Sequence, residues 1–181
     1  MYIRLIAGQY GGRKIDAPDN SRTHPMGERI RNALFNSIGT RIEGAEVLDA
    51  FAGTGAVGLE ALSRGAAGVT FVERDKIAQK VLAKNVVSLD AAEKVEIVNT
   101  SVVNWLTTKS QKNYDIIFAD PPYNDPQLST VSQLFALLKP NGLMVLSWSG
   151  RGEGPNLQNG IVVVDNRSYG NAKLTSFCRI G

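Results

Sequence analysis

Two short stretches of the sequence hold residue types that could do chemistry. Asp120-Pro121-Pro122-Tyr123 follows the apolar run Tyr114 to Ala119. Consecutive prolines fix two φ angles and remove two N–H donors, which leaves a stiff turn with outward carbonyls. The Asp120 carboxylate and the Pro121 carbonyl could both accept N–H bonds from the exocyclic amine of a nucleobase. Such an amine is a poor nucleophile because its lone pair is delocalised into the ring. Two fixed acceptors favour its pyramidalisation and stabilise the positive charge that develops on it. Tyr123 offers a flat face on which an extruded base could stack, a contact worth about 1–3 kcal/mol. Attack on a methyl group already activated by a sulfonium would then depend mainly on positioning. In isolation the tetrapeptide is a Pro-rich strand end of a common kind, and its place after a fourth strand is what gives it meaning.

The second stretch, Val47 to Glu60, reads as a buried strand turning tightly into a helix around Gly53-Thr54-Gly55 and Gly58. Glycines let the backbone turn and approach a ligand, and the helix start presents unpaired N–H groups. Gly53-x-Gly55-x-x-Gly58 also satisfies a dinucleotide-binding pattern, and Glu73 lies twenty residues on, where a ribose-binding acid belongs. The loop alone therefore leaves NAD and S-adenosylmethionine both open. Asp49 separates them: a carboxylate there repels a pyrophosphate and attracts a sulfonium and an ammonium.

Both stretches need a frame. From residue 46 onward, strand candidates alternate with helix candidates: strands Glu46 to Phe51, Gly68 to Glu73, Val95 to Asn99, Tyr114 to Ala119 and Gly142 to Ser147, and helices Ala56 to Arg64, Lys76 to Leu89, Val102 to Thr107 and Gln127 to Leu138. This alternation, with strand runs such as Ile116-Ile117-Phe118, predicts an α/β fold with a parallel sheet covered on both faces. Ile161 to Asp165 and Leu174 to Arg179 follow with no helix between them, joined by a polar turn at Asn166 to Asn171, which predicts an antiparallel hairpin. Gly150 to Gly160 reads as a loop. Ahead of the sheet, Tyr2 to Ala7 and Arg13 to Ala17 predict a hairpin, Pro18 to Pro25 a loop, and the four-residue spacing of Ile30, Leu34 and Ile38 a helix over Glu28 to Ile38.

The 181 residues, 43% hydrophobic and 20% charged, suit one domain of ordinary soluble type. We expect residues 1–41 to be a basic extension and 46–181 the catalytic core. No apolar run reaches membrane-spanning length and the start lacks a signal pattern, so the expected location is the cytoplasm. A single cysteine, Cys178, and a single histidine, His24, give no basis for a disulfide framework or a metal site. Residues 1–41 hold seven basic against three acidic residues, whereas the rest holds 13 against 14. The excess positive charge thus sits in the first quarter, as a polyanion-binding element would have it.

The chain resembles the RsmD family of bacterial small-subunit ribosomal RNA guanine-N2 methyltransferases. The resemblance is carried by Leu48 to Gly55, Gly58 to Ala66, Phe71-Val72-Glu73 and Asp120 to Tyr123. Arg4 to Gly8 with Gly12-Arg13, Arg29-Ile30-Arg31, Ala33 to Asn36, and Tyr169-Gly170 with Leu174 agree as well. It implies a Rossmann-like class I S-adenosylmethionine-dependent methyltransferase, with a seven-stranded, mostly parallel sheet, an antiparallel last strand and an N-terminal hairpin and helix. It also implies S-adenosylmethionine as donor, S-adenosylhomocysteine as product and no metal. The implied substrate is 16S ribosomal RNA in a small-subunit assembly particle, bound by a monomer.

Matched by position, Asp49, Gly53 and Gly55 would surround the methionine part of the cofactor, Glu73 would hold the ribose hydroxyls and Ser101 would face the adenine amine, with Phe51, Thr54, Arg74 and Val102 also at the cofactor. Asp120 to Tyr123 would lie at the target base. Arg4, Arg13, Lys14, Arg29 and Arg31 would hold RNA. The chain departs from the family pattern at His24-Pro25-Met26-Gly27, where Arg-Pro-Thr is usual, and at Asn32 and Ser101, each in place of an acid; a serine accepts the adenine amine more weakly. Competing readings are an adenine-N6 methyltransferase, an NAD-dependent dehydrogenase and a catalytically silent RNA-binding protein.

Overall fold

A computed structural model of the chain describes residues 1–19, 25–108 and 112–181. Strands β1 (Tyr2–Arg4) and β2 (Lys14–Asp16) pair antiparallel, with Ile3 opposite Ile15. The hairpin is shorter than the sequence predicts because the N–H groups of Ile6 and Ala7 turn away to the Glu60 carboxylate, at 2.9 and 3.2 Å. Gln9 N–H then donates to the Ser63 carbonyl (2.7 Å) and Tyr10 N–H to Ser63 Oγ (2.8 Å). The hairpin thus caps the carboxyl end of a core helix, where carbonyls would otherwise lack donors. Gly8, at φ +82°, is required there: a Cβ would lie 1.8 Å from the Ser63 carbonyl oxygen. Of the predicted loop Pro18 to Pro25, residues 20–24, including Arg22 and His24, lie outside the described residues.

Helix α1 (Glu28–Ile38) forms where predicted, and Arg31, Leu34, Phe35 and Ile38 are its buried residues. Arg31 corrects one expectation. It shares the inward face with Leu34 and Ile38 at helical spacing and is 1% exposed, so it is not available to RNA.

The core sheet has seven strands: β3 (Glu46–Asp49), β4 (Gly68–Val72), β5 (Val95–Val98), β6 (Tyr114–Ala119), β7 (Leu138–Trp148), β8 (Ile161–Tyr169) and β9 (Ala172–Arg179). Their order is β5-β4-β3-β6-β7-β9-β8, parallel from β5 to β7, with β9 antiparallel to both β7 and β8. Helices α2 (Ala56–Ser63), α3 (Lys76–Ser88), α4 (Val102–Leu106) and α5 (Leu128–Leu134) connect the parallel strands. Alternation along each strand feeds two apolar cores: Val47, Ile116 and Phe118 join Leu59 and Phe35 on one face, while Leu48 and Ile117 join Trp105 and Phe135 on the other. The chain runs from β3 outward to β5 and returns to β6 beside β3, so the β3/β6 boundary is a topological switch point, where open α/β sheets bind ligands.

Several boundaries differ from the sequence reading: β3 ends at Asp49 and α5 at Leu134, and two strands on the far side of the sheet are longer than expected. The polar run Asn166 to Asn171 is not a wide turn: β8 continues to Tyr169, which pairs with Ala172, leaving Gly170-Asn171 as the turn. These polar residues lie on an edge strand that is largely solvated, so strand residues there resemble loop residues. β7 starts at Leu138 rather than Gly142, taking in Pro140 at a register shift against β6 between Tyr114 and Ile116. Among the described residues no helix is long and apolar enough to cross a membrane.

Candidate active site

A cleft of about 1100 Å³ opens at the carboxyl ends of β3, β4, β6 and β7. The Gly-rich loop forms its floor and is sewn down on both sides. Ala50 N–H donates to Phe118 O of β6 and Ala52 N–H to Val72 O of β4. Gly53 and Gly55 take the left-handed φ values, +57° and +90°, that turn the loop into α2.

Two carboxylates brace this turn. Asp49 is buried, and its Oδ2 accepts the Gly58 N–H at 3.0 Å, in the first turn of α2. Glu73, just beyond β4, accepts Gly53 N–H at 2.7 Å on one oxygen and Asp75 N–H at 2.6 Å on the other. Asn85 of α3 adds a third tie: Nδ2 donates to the carbonyls of Thr54 and Asp16, both at 3.0 Å, and Oδ1 accepts Asp16 N–H at 2.8 Å. One amide therefore joins the loop to the N-terminal hairpin.

The structure brings the predicted catalytic and cofactor residues to one cleft, with one exception. Asp49, Phe51, Gly53, Thr54, Glu73, Arg74, Ser101 and Val102 line the cleft, as do Asp120, Pro121, Pro122 and Tyr123. Gly55 does not line it; a Cβ there would meet the Leu82 side chain at 2.4 Å, so this glycine serves the turn. Ser101 is the N-cap of α4, and its Oγ accepts the Asn104 N–H at 3.1 Å, which leaves its remaining lone pair and its proton for a ligand. Tyr123 is 46% exposed at the cleft.

None of the basic residues predicted for RNA lines the cleft. Arg4 is exposed and paired with Glu28 at 2.5 Å, Arg13 donates to the Ser88 carbonyl at 2.6 Å, and Lys14 lies over the Tyr2 ring at 5.9 Å from its centroid. Arg29 is exposed. Arg31 is buried, with Nε 3.4 Å from Glu60, and also donates to the carbonyls of Arg4 and Met26.

Sequence reasoning missed three contributors. Met26, Gly27, Ile30 and Leu34 bring the start of α1 to the cleft wall. Ser147 of β7 lines it too, and its signal was a polar residue inside the apolar run Leu143 to Trp148. Glu60 is 0% exposed and gathers Ile6 N–H, Ala7 N–H, Arg31 and Arg64. An acid amid the apolar residues of α2 was visible in the sequence, but not its partners, which lie far away along the chain.

The cleft is electrostatically one-sided. Burial pushes the Asp49 carboxyl up to about 7 against the opposing Gly58 N–H, with the charges of Asp120 and Glu73 adding to the rise. Burial likewise pushes Asp120 up to about 7, opposed by a hydrogen bond from Ser147. Arg74, exposed next to Glu73, is the one basic residue lining the cleft among those described. A pyrophosphate would meet the buried Asp49 carboxylate and the partly exposed Asp120, whereas a ligand with fixed positive charge would relieve them. The donor set therefore fits S-adenosylmethionine: Asp49 for its cationic part, and Glu73, whose oxygens keep free lone pairs, for ribose hydroxyls. The same cleft runs from the Asp49 loop to Asp120–Tyr123, so the two stretches share one space.

Ribosomal RNA small subunit methyltransferase D of Escherichia coli (strain K12) is 40% identical to this chain over 140 residues, 77% of the chain and 68% of that protein. Its namesake from Haemophilus influenzae is 37% identical over 150 residues, 78% of the chain and 76% of that protein. The family described as Conserved hypothetical protein 95 matches residues 3–178. The chain belongs to the RsmD family. The solved structure of the Escherichia coli protein yhhF superposes with a TM-score of 0.89 at 32% identity, covering 100% of this chain and 99% of that one. The RsmD resemblance read from the sequence thus holds, and the sheet, with its antiparallel β9, is the expected Rossmann-like methyltransferase fold.

Proposed function

We propose that this chain transfers a methyl group from S-adenosylmethionine to the exocyclic N2 amine of a guanine in small-subunit ribosomal RNA. The carrying observation is that Asp120 to Tyr123 and the Asp49 loop open onto one cleft across the β3/β6 switch point, where Asp49 pairs in register with Phe118, two residues before Asp120. The relatives named ribosomal RNA small subunit methyltransferase D support the substrate, and the choice of guanine N2 is what the sequence resemblance implies.

When bound, the cofactor supplies a methyl group already activated by its sulfonium. The chain does the rest by positioning. Asp49 and the Gly-rich loop seat the cationic end, Glu73 the ribose, and Ser101 and Val102 the adenine. Tyr123 stacks on the extruded base, while Asp120 and the Pro121 carbonyl accept from its amine and draw the lone pair out of conjugation. Methylation of the amine at the expense of the donor's S–C bond, which would leave the neutral thioether S-adenosylhomocysteine, makes the nitrogen positive until it sheds a proton, and Asp120, with a carboxyl pushed up to about 7, can take it. The exposed Arg4, Arg13, Lys14 and Arg29 provide phosphate contacts, with residues 1–41 acting as the RNA-holding part of a single unit with 46–181. On this reading the enzyme is a cytoplasmic monomer that needs no metal and works on 16S ribosomal RNA within an assembly particle.

The test is methylation of isolated small-subunit RNA and of assembly particles with labelled donor, followed by digestion to nucleosides. N2-methylguanine is expected; N6-methyladenine would overturn the choice of base. Asp120→Ala should lower the rate by about 100-fold or more while S-adenosylhomocysteine binding persists, and unchanged activity would make the tetrapeptide only a turn.

A further inference from the structure

We propose that Asn85 is a positioning residue that couples the cofactor loop to the N-terminal hairpin, so that S-adenosylmethionine and RNA each strengthen binding of the other. The RNA side of this coupling rests on the reading above that the hairpin helps to hold RNA. Asn85 lies on α3 and is 2% exposed. It shares the inward face of that helix with Ala78, Leu82 and Val86, an amide at a spacing that otherwise carries apolar groups. Burying an amide is costly unless it is bonded. Both donors of this one are used: Nδ2 reaches Thr54 O of the loop and Asp16 O of β2, each at 3.0 Å, while Oδ1 accepts Asp16 N–H at 2.8 Å.

The loop needs such a restraint. Thr54 stands between Gly53 and Gly55, at φ +57° and +90°, and glycine backbones lose the most freedom on ordering. Glu73 and the Ala52 carbonyl hold the N–H groups of Gly53 and Gly55, and Asn85 holds the Thr54 carbonyl. Gly53 and Thr54 line the cleft where the cofactor is seated. At the other end of the amide, Asp16 closes β2, the strand that carries Lys14, with Arg13 just before it. Among the described residues, other polar ties from the hairpin meet the core away from the loop, Arg13 at Ser88 and Ile6 and Ala7 at Glu60. Asn85 therefore joins the two binding elements directly. A ligand that orders one element lowers the ordering cost of the other, and the effect is reciprocal.

The test uses the full chain as wild type, Asn85→Ala, Asn85→Asp and Val86→Ala. Isolated small-subunit ribosomal RNA is titrated with and without saturating S-adenosylhomocysteine, which binds without turnover, and the ratio of the two affinities is the coupling factor. Wild type should show a factor of about 5 or more, and Asn85→Ala a factor close to one. Asn85→Asp keeps an acceptor for Asp16 N–H but turns oxygen toward Thr54 O, and should lose the coupling as well. Val86→Ala removes packing at the next residue and should keep the wild-type factor even as it melts earlier. Hydrogen exchange of the wild type needs neither variant nor RNA: S-adenosylhomocysteine should slow exchange of the Asp16 amide. A wild-type factor of one, an unchanged factor in a folded Asn85 variant, an equal loss in Val86→Ala, or an Asp16 amide indifferent to S-adenosylhomocysteine would overturn the proposal. An unmoved salt slope for RNA binding in an Arg13→Ala, Lys14→Ala double variant would instead refute the hairpin's RNA role, with the Asp16 exchange still readable.

Discussion

Replacing Arg31 by alanine separates holding RNA from holding the fold. The guanidinium is buried, reaches Glu60 at 3.4 Å and supplies donors to the carbonyls of Arg4 and Met26. Removing one member of a buried ion pair costs about 3–5 kcal/mol. Arg64 remains on the other Glu60 oxygen at 3.0 Å and the Arg31 contact is long, so the lower end applies, about 3 kcal/mol. In a protein of this size each kcal/mol moves the midpoint by about 2–4 °C, so Arg31→Ala should melt about 6–12 °C below wild type. Thermal unfolding followed by circular dichroism measures this. RNA affinity over a salt series, at a temperature where both proteins are folded, completes the assay. The slope of log K against log salt should match wild type for Arg31→Ala, whereas exposed Arg29→Ala should lose about 0.7–0.9 per phosphate contact removed. Wild-type melting combined with a reduced slope for Arg31→Ala would refute the structural role.

Cofactor affinity should depend on pH through Asp49. Its carboxyl, pushed up to about 7, is protonated below that value and loses its attraction for a cationic ligand. Calorimetry with S-adenosylmethionine should show binding weakening by up to about tenfold per unit below pH 7, and Asp49→Asn should flatten the profile; equal affinity at pH 8 and 6 would count against the cation seat. Stability of the cofactor-free protein has the opposite sign. The folded chain holds more protons than the unfolded one between the ordinary aspartate value, about 4, and about 7, so this pair of raised carboxyls lowers stability as pH climbs through that window. Gly8→Ala should detach the hairpin from α2, since its Cβ would lie 1.8 Å from the Ser63 carbonyl oxygen at a left-handed φ. Urea titration should find a loss of about 1–3 kcal/mol, and an unchanged midpoint would mean the contact relaxes freely.

What the sequence made legible was the local part of the design. Strand and helix periodicity marked β3 to β6 and their helices, because residues buried on both faces leave continuous apolar runs. Asp49 and the glycines were readable because a backbone turn and a charge preference depend on few neighbours. Arg31 was misread because a cation on an amphipathic helix looks solvent-facing until Glu60, in a helix formed later in the chain, supplies its partner. The same long-range dependence hid Ser147, whose meaning arises only when β6 and β7 align. Edge strand β8 was cut short since solvated strand residues and turn residues share a composition. The loop segment with His24 lies outside the described residues.

The N-terminal hairpin has a consequence for how the chain is made. Ile6 and Ala7 find their acceptor at Glu60, 54 and 53 residues later, and β3 waits for β6, with Glu46 bonded to Asp115 69 residues on. At about 5–20 residues per second of synthesis, the hairpin spends roughly 3–10 s without the carboxylate it docks on. Order therefore reaches the segment made first only after Glu60 has followed it, and a fragment ending before Glu60 holds the basic residues without the acid that shapes them.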